Sequence, residues 1–255
     1  MFKVEFLRFI KNPMNIVFSL IFPVALMILF GELFDAKEFQ SNFISIIYLS
    51  TVSITIIPIS INVCLDKIER RTKHYAIIEG ATTKYIISLF FTNFIIGELT
   101  VILLILIGNL GYKVEVADSN IAMLIFGPVL SFILGFSIGI IFGKYTKSFG
   151  MALPLAMFTF FIVLFISGMT VPLQVLAPKY FFYIQVLTPQ GIMIMLYNHL
   201  ASLATTMPPG IPLPDPLAAS ILDTTQLAVA GTMLGVYSTT LIGLTSYIIF
   251  KAKII

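Results

Sequence analysis

Few side chains in this sequence can do chemistry, and their positions narrow what that chemistry is. Glu98 is the one ionisable residue deep within a long apolar run. A carboxylate at the centre of a bilayer costs at least roughly 2.5 kcal/mol on insertion scales. Glu98 is therefore expected to face protein or a water-filled cavity. Three roles fit it: contact with a cationic substrate, a proton relay, or a hydrogen-bonded structural acid near Asn93 or Thr100. Gly135-Phe136-Ser137-Ile138-Gly139 has the G-x-S-x-G spacing of a hydrolase nucleophile. That chemistry needs a strand-to-helix turn at the edge of a sheet and a general base at the same depth. Here the motif lies inside an apolar run, and neither His74 nor His199 lies in one. Gly135, Gly139 and Gly143 repeat every fourth residue, with Ser131 one step earlier, so the segment reads as a small-residue ridge for close helix packing. Gly143-Lys144-Tyr145-Thr146 is not a phosphate loop, because Ile138 stands where the first glycine is needed and Tyr145 follows the lysine. Cys64 is single, which excludes an intrachain disulfide and a Cys-based zinc site. No His, Asp and Glu cluster has metal-ligand spacing. No catalytic residue and no metal ligand is assigned, and His74 reads as a solvated or docking residue in a basic loop.

The elements that carry these residues follow from composition. Of 255 residues, 58% are hydrophobic and 11% charged, with mean hydropathy +1.03. Soluble domains run at about 45–50% apolar and about 25% charged. Too little charge is present to coat a water-facing globule, which argues against a soluble enzyme. Six apolar runs, at Asn15–Phe34, Phe43–Leu65, Tyr85–Leu110, Ile121–Phe142, Phe149–Gly168 and Leu227–Phe250, each approach the roughly 20 residues a spanning helix needs. They do not alternate as barrel strands would. The expected fold is an all-α membrane protein with six transmembrane helices in a single domain covering residues 1–255. Pro23, Pro58 and Pro154 fall inside spans and are expected to kink them, with packing the simplest use of the kinks. Twelve of the 15 basic residues fall in the termini and loops of one side. Only Lys37, Lys113 and Lys179 fall on the other, with Asp35, Glu38, Glu115, Asp118, Asp215 and Asp223. The positive-inside rule places both termini in the cytosol. The first span is too long for a cleaved signal peptide and lacks a small-x-small site.

Three segments lie outside the spans. Residues 1–12 form an amphipathic helix with Phe2, Phe6, Phe9 and Ile10 on one side and Lys3, Glu5, Arg8 and Lys11 on the rest, ended by Asn12-Pro13. It suits either a helix lying in the membrane interface or a plain basic flank that sets topology. Residues 66–84 form the longest cytosolic loop, with charges crowded into its first half and Ile68, Tyr75, Ile77 and Ile78 offering an apolar tip. Docking on a cytosolic partner and binding of lipid headgroups both fit. The loop is too short and too close to the membrane for nucleic acid. Residues 169–226 hold two apolar pieces, Lys179–Leu187 and Gly191–Leu203, too short to span and separated by prolines. They are expected to be re-entrant or interfacial helices. Met207–Pro216 is a proline-rich turn region.

Together these pieces carry a resemblance. The amphipathic start closes with Lys11-Asn12-Pro13, and Glu69-Arg70-Arg71 follows the second span. After the fifth span comes Ser167-Gly168-Met169-Thr170-Val171-Pro172-Leu173, then Ala177-Pro178 and Leu187-Thr188-Pro189. The chain resembles the permease subunit of an ABC-2 type exporter over essentially its whole length. The most specific part is the run containing Gly168 and Pro172 with the following Pro178 and Pro189. The resemblance implies a dimer of six-span subunits, either two copies or this chain with a close paralogue. It implies a cytosolic ABC ATPase beneath each subunit. The N-terminal helix then corresponds to the connecting helix, residues 66–84 to the coupling helix, and residues 169–200 to the external re-entrant pair. Glu69, Arg70, Arg71, Tyr75 and Ile78 would contact the ATPase. ATP and magnesium would belong to that partner, with no cofactor on this chain. The sequence departs at Pro189-Gln190-Gly191, where the family often has an aromatic, and in the longer proline-rich Met207–Pro216.

The expected function is thus that of a permease in the bacterial cell membrane, exporting amphipathic cargo such as a peptide toxin, a bacteriocin or a lipid-like drug. The cargo class rests on analogy. The main rival is an ion- or proton-coupled carrier using Glu98, against which stands the lack of an evident inverted repeat. An intramembrane hydrolase using Ser137 lacks a base.

Overall fold

The computed structural model describes residues 1–34, 36–71, 81–114, 121–168, 180–204 and 223–250, and every regular element among them is helical. We number the helices α1 (Phe2–Lys11), α2 (Pro13–Leu33), α3 (Ala36–Ile68), α4 (Ala81–Tyr112), α5 (Ile121–Tyr145), α6 (Phe149–Ile166), α7 (Phe181–Gln185), α8 (Pro189–Ala204) and α9 (Thr224–Phe250). Six of them, α2 to α6 and α9, are long and apolar enough to cross a membrane. The chain is an all-α, multi-pass membrane protein. An isolated backbone in hydrocarbon must satisfy its own hydrogen bonds, which is why the apolar runs take this form.

The bundle is organised around α3. Its apolar window is buried along its whole length, whereas that of α9 is only 6% buried. The helix packs most extensively on α5, then on α2, α6 and α4. Enclosure by protein explains its composition, since Ser50, Thr51, Ser53, Thr55, Ser60 and Asn62 are all buried within it. The hydroxyls stay in a dry interior by donating to carbonyls one turn back, as Ser50 does to Ile47 O at 2.6 Å and Thr55 to Thr51 O at 2.7 Å.

Close approach of α5 to α3 needs a surface without side chains. Gly127, Gly135, Gly139 and Gly143 supply it, with Ser131 between them. A Cβ on Gly139 would stand 2.6 Å from the Thr55 carbonyl oxygen, and one on Gly143 2.5 Å from Val63 Cβ. Gly127 extends the ridge one turn further, against the ring of Tyr48.

Pro23 shapes α2. A proline removes a helical donor and pushes on the carbonyl four residues earlier. The chain answers with a π-helical turn at Val17–Ile21. The Ser19 carbonyl, four residues before Pro23, accepts from Thr100 Oγ1 of α4 at 3.0 Å. The neighbouring Phe18 carbonyl accepts from Ser53 Oγ of α3 at 2.9 Å. The proline thus frees acceptors that tie three helices together. Both Pro58 and Pro154 lie inside continuous helices, α3 and α6.

Of residues 169–226, the structure describes 180–204 and 223–226. Here α7 and α8 are too short to span. Thr188 caps α8 by accepting from Gly191 N at 3.1 Å, with Pro189 in the first helical position. Phe182, Val186, Ile192 and Met195 pack with Ala230 of α9. Gln185 Nε2 donates to Ser167 O at 3.1 Å, which fixes α7 to the end of α6. That end turns at Gly168, whose φ of 76° is a conformation glycine adopts without a Cβ penalty.

Candidate functional site

The polar residues converge where α3 ends and the 66–84 segment begins. Asp66 is fully buried. Its Oδ2 accepts from Arg8 Nη1 of α1 at 2.6 Å and from Tyr85 OH of α4 at 2.6 Å. Arg71 Nη1 lies 3.7 Å from Oδ1. One carboxylate therefore joins α1, α3, α4 and the start of the 66–84 segment. A buried charge persists only when paired and hydrogen-bonded, and these partners let α3 run three residues past the last apolar residue of the expected span. Beside it, Lys67 Nζ donates to Lys144 O and Thr146 O at 2.6 Å each. That cation covers the carbonyls at the C-terminal end of α5, where the helix dipole favours positive charge.

The charged side of α1, rather than its phenylalanine side alone, meets the protein. Glu5 and Phe9 are buried, while Phe2, Val4, Leu7 and Ile10 are exposed. Arg8 lies 3.7 Å from Glu5 and bridges it to Asp66. Burial pushes the Glu5 carboxyl above its ordinary range, partly opposed by the Arg8 charge. For Arg8, burial acts to lower the pKa, but the hydrogen bond and charge of Asp66 outweigh it and the guanidinium is held above its ordinary value. The site is therefore set to keep Arg8 charged.

Glu69, Arg70 and Arg71 are exposed at the start of the segment. Arg71 pairs with Glu69 at 2.6 Å, a surface contact worth at most about 1 kcal/mol. Arg70 has φ of 56°, a left-handed conformation that ends α3. A non-glycine residue held there costs of order 1–3 kcal/mol. Tyr75 and Ile78 lie outside the described residues.

Glu98 is half-buried on α4, on the border between the strip facing α2, α3 and α5 and the exposed strip of Ile95, Leu99 and Ile102. It makes no hydrogen bond or ion pair with the described residues. Asn93 donates instead to Leu89 O, and Thr100 to Ile96 O and Ser19 O. Gly135, Gly139 and Gly143 lie against α3, as described above. Ser137 donates to Ile133 O at 3.0 Å. Gly168 and Pro189 bracket α7, while Pro172 and Pro178 lie outside the described residues. No group of His, Cys, Asp and Glu able to hold a metal is found among the described residues.

Sequence reasoning placed Asp66 only as the first residue of a loop. The available signal was a single acid closing an apolar run, on the side that carries twelve bases. Its partners, 58 and 19 residues away, are visible only in the fold.

A family model described as ABC-2 type transporter matches residues 1–198. No curated protein and no solved structure matches the chain.

Proposed function

We infer the chain's work from one premise: it belongs to the ABC-2 type transporter family. It is a membrane component of a transporter, and the proposal concerns how it is driven and what it moves. The chain is the permease subunit of an ATP-driven exporter in the bacterial cell membrane, with both termini cytosolic. A separate cytosolic ABC ATPase binds beneath it through residues 66–84, with Glu69, Arg70, Arg71, Tyr75 and Ile78 as its contacts. ATP and magnesium stay on that partner. A second permease subunit, identical or closely related, completes the pathway, and lipid surrounds the pair. The cargo is amphipathic, a peptide or a lipid-like molecule.

The observation that supports this most is the Asp66 junction. A push on residues 69–71 reaches Asp66, and through its short hydrogen bonds reaches α1, α3 and α4 together. Enclosed by its neighbours, α3 passes the displacement along the core. Reversing Arg70→Glu and Arg71→Glu is expected to leave insertion intact, because neither side chain is buried. ATPase recovered with the complex should fall, and export with it, by roughly tenfold or more, since charge reversal at a contact sets like charges against each other. Unchanged ATPase recovery together with unchanged export would refute the docking role.

A second reading rests on Glu98, a half-buried acid without a partner among the described residues. In the exporter it lines the pathway and meets cationic cargo or the second subunit. Glu98→Gln should then reduce export of cationic cargo while basal ATP hydrolysis by the assembled complex survives. If Glu98 instead relays protons in a carrier, the same change abolishes transport, and transport by the unaltered protein follows a pH gradient without ATP.

A further inference from the structure

The structure assigns a binding site for an anionic glycerophospholipid to the groove between α1 and the first four turns of α4. The groove is open along one side and offers about 410 Å³. Met1 and Phe2 form one wall, and Lys84, Ile87, Ser88, Phe91 and Ile95 form the other. The α4 residues recur at three- and four-residue spacing, so they share one helix face. Ile87, Phe91 and Ile95 are 50%, 50% and 40% exposed, which leaves them free to take an acyl chain along roughly 12 Å of helix at 1.5 Å per residue. Lys84 stands one turn above this strip, at the end where the polar headgroup of a membrane lipid would lie. Among the described residues, no acid lines the groove.

A second feature separates this groove from ordinary lipid-facing surface. Ser88 is 5% exposed, yet its Oγ has no hydrogen-bond partner among the described residues. Elsewhere in the bundle Ser53, Thr55, Thr100 and Ser137 donate to a carbonyl three or four residues back. Ser88 lines the groove with its Oγ buried just beneath the surface and, like Thr92, Ser131 and Ser167, lacks such a partner among the described residues. One exposed cation and one unpaired hydroxyl buried just beneath it, a single turn apart above an apolar strip, match a phosphodiester joined to an acyl chain. The described lining carries Lys84 and no acid to meet the ammonium of a zwitterionic headgroup, so charge complementarity favours an anionic one. Tyr85, adjacent to Lys84, donates to Asp66. A lipid clamped between Phe2 and Lys84 thereby holds α1 on α4 at the same junction that Asp66 ties. The inference stands independently of the cargo and of the ATPase.

The test uses the full chain purified in mild detergent and phosphatidylglycerol with a photoactivatable acyl chain. Labelling is expected to concentrate on residues 87–95 and Phe2. Unlabelled phosphatidylglycerol should compete about tenfold better than phosphatidylcholine, the factor expected for one charge-assisted contact. Lys84→Glu should abolish that preference, and Ser88→Ala should weaken competition about threefold. Labels spread evenly over the exposed faces of α6 and α9, or equal competition by the two lipids, would overturn the proposal. Both readings come from the unaltered protein, so a Lys84→Glu chain that fails to fold leaves the test decisive.

Discussion

Asp66→Ala should give the largest loss of stability of any single change at the charged junction. It removes the carboxylate that accepts from Arg8 and Tyr85 at 2.6 Å each. Breaking a buried pair from one side typically costs about 3–5 kcal/mol, because the remaining charge stays desolvated. Arg8 retains 20% of its side-chain exposure, so part of that penalty is relieved by water, and about 2–3 kcal/mol is the expected figure. The change should show as a lower melting temperature in detergent and as protease access to the α1–α2 junction. A paired Arg8→Leu, Asp66→Leu substitution should recover part of the loss, since it removes the orphaned guanidinium but leaves buried Glu5 without Arg8 and the Tyr85 hydroxyl without its acceptor. Because the same carboxylate anchors the start of the 66–84 segment, Asp66→Asn is the variant to test for function. It keeps an acceptor while weakening the tie to Arg8, and should lower export more than it lowers folding. A melting temperature and export both equal to the unaltered protein's in Asp66→Ala would sink this account of the junction.

Gly139→Leu is expected to have the second largest effect, on assembly of the bundle. The added Cβ would meet the Thr55 carbonyl oxygen at 2.6 Å and Ile59 Cβ at 3.0 Å. The oxygen belongs to the backbone of the most enclosed helix and cannot swing aside as a side-chain tip would. Overpacking by even a few methylenes costs about 1–3 kcal/mol, and leucine adds more than that beyond the clash. We expect α5 to be pushed off α3, with lost monodisperse yield. Gly111→Leu makes the control, because a Cβ there meets nothing within 4 Å among the described residues. If Gly139→Leu elutes and melts like the unaltered chain while Gly111→Leu does the same, the ridge is not a packing surface.

The six spans were legible because a bilayer imposes a length and a polarity on any segment that crosses it. The ends were less so. Hydropathy stops the second span at Leu65, before the first charge, whereas α3 continues to Ile68. A carboxylate held by Arg8 and Tyr85 can stay inside a helix where an unpaired one could not. The ridge of Gly135, Gly139 and Gly143 was readable from its four-residue period, but not its partner. The clue to α3 as that partner lay in its own sequence: Ser50, Thr51, Ser53, Thr55, Ser60 and Asn62 would suit an enclosed helix better than one facing lipid. Pro23 was recognisable as a local break, while Thr100, which satisfies the carbonyl it frees, lies 81 residues beyond that carbonyl in the chain. The inward face of α1 was hidden for the same reason. Phe2, Phe6, Phe9 and Ile10 define its apolar side, yet Glu5 is drawn inward by Arg8, which Asp66 holds in place.

The central claim is that a separate ATPase drives this chain through the segment that starts at Asp66. Site-specific photocrosslinking from position 69, 70 or 71 in native membranes tests it most directly, with the crosslinked product sequenced. The account predicts one dominant product: a chain carrying a Walker A motif, linked in proportion to ATP-dependent export and lost with Arg70→Glu and Arg71→Glu. Crosslinks to lipid alone or to a second copy of this chain, with export continuing unimpaired, would contradict it.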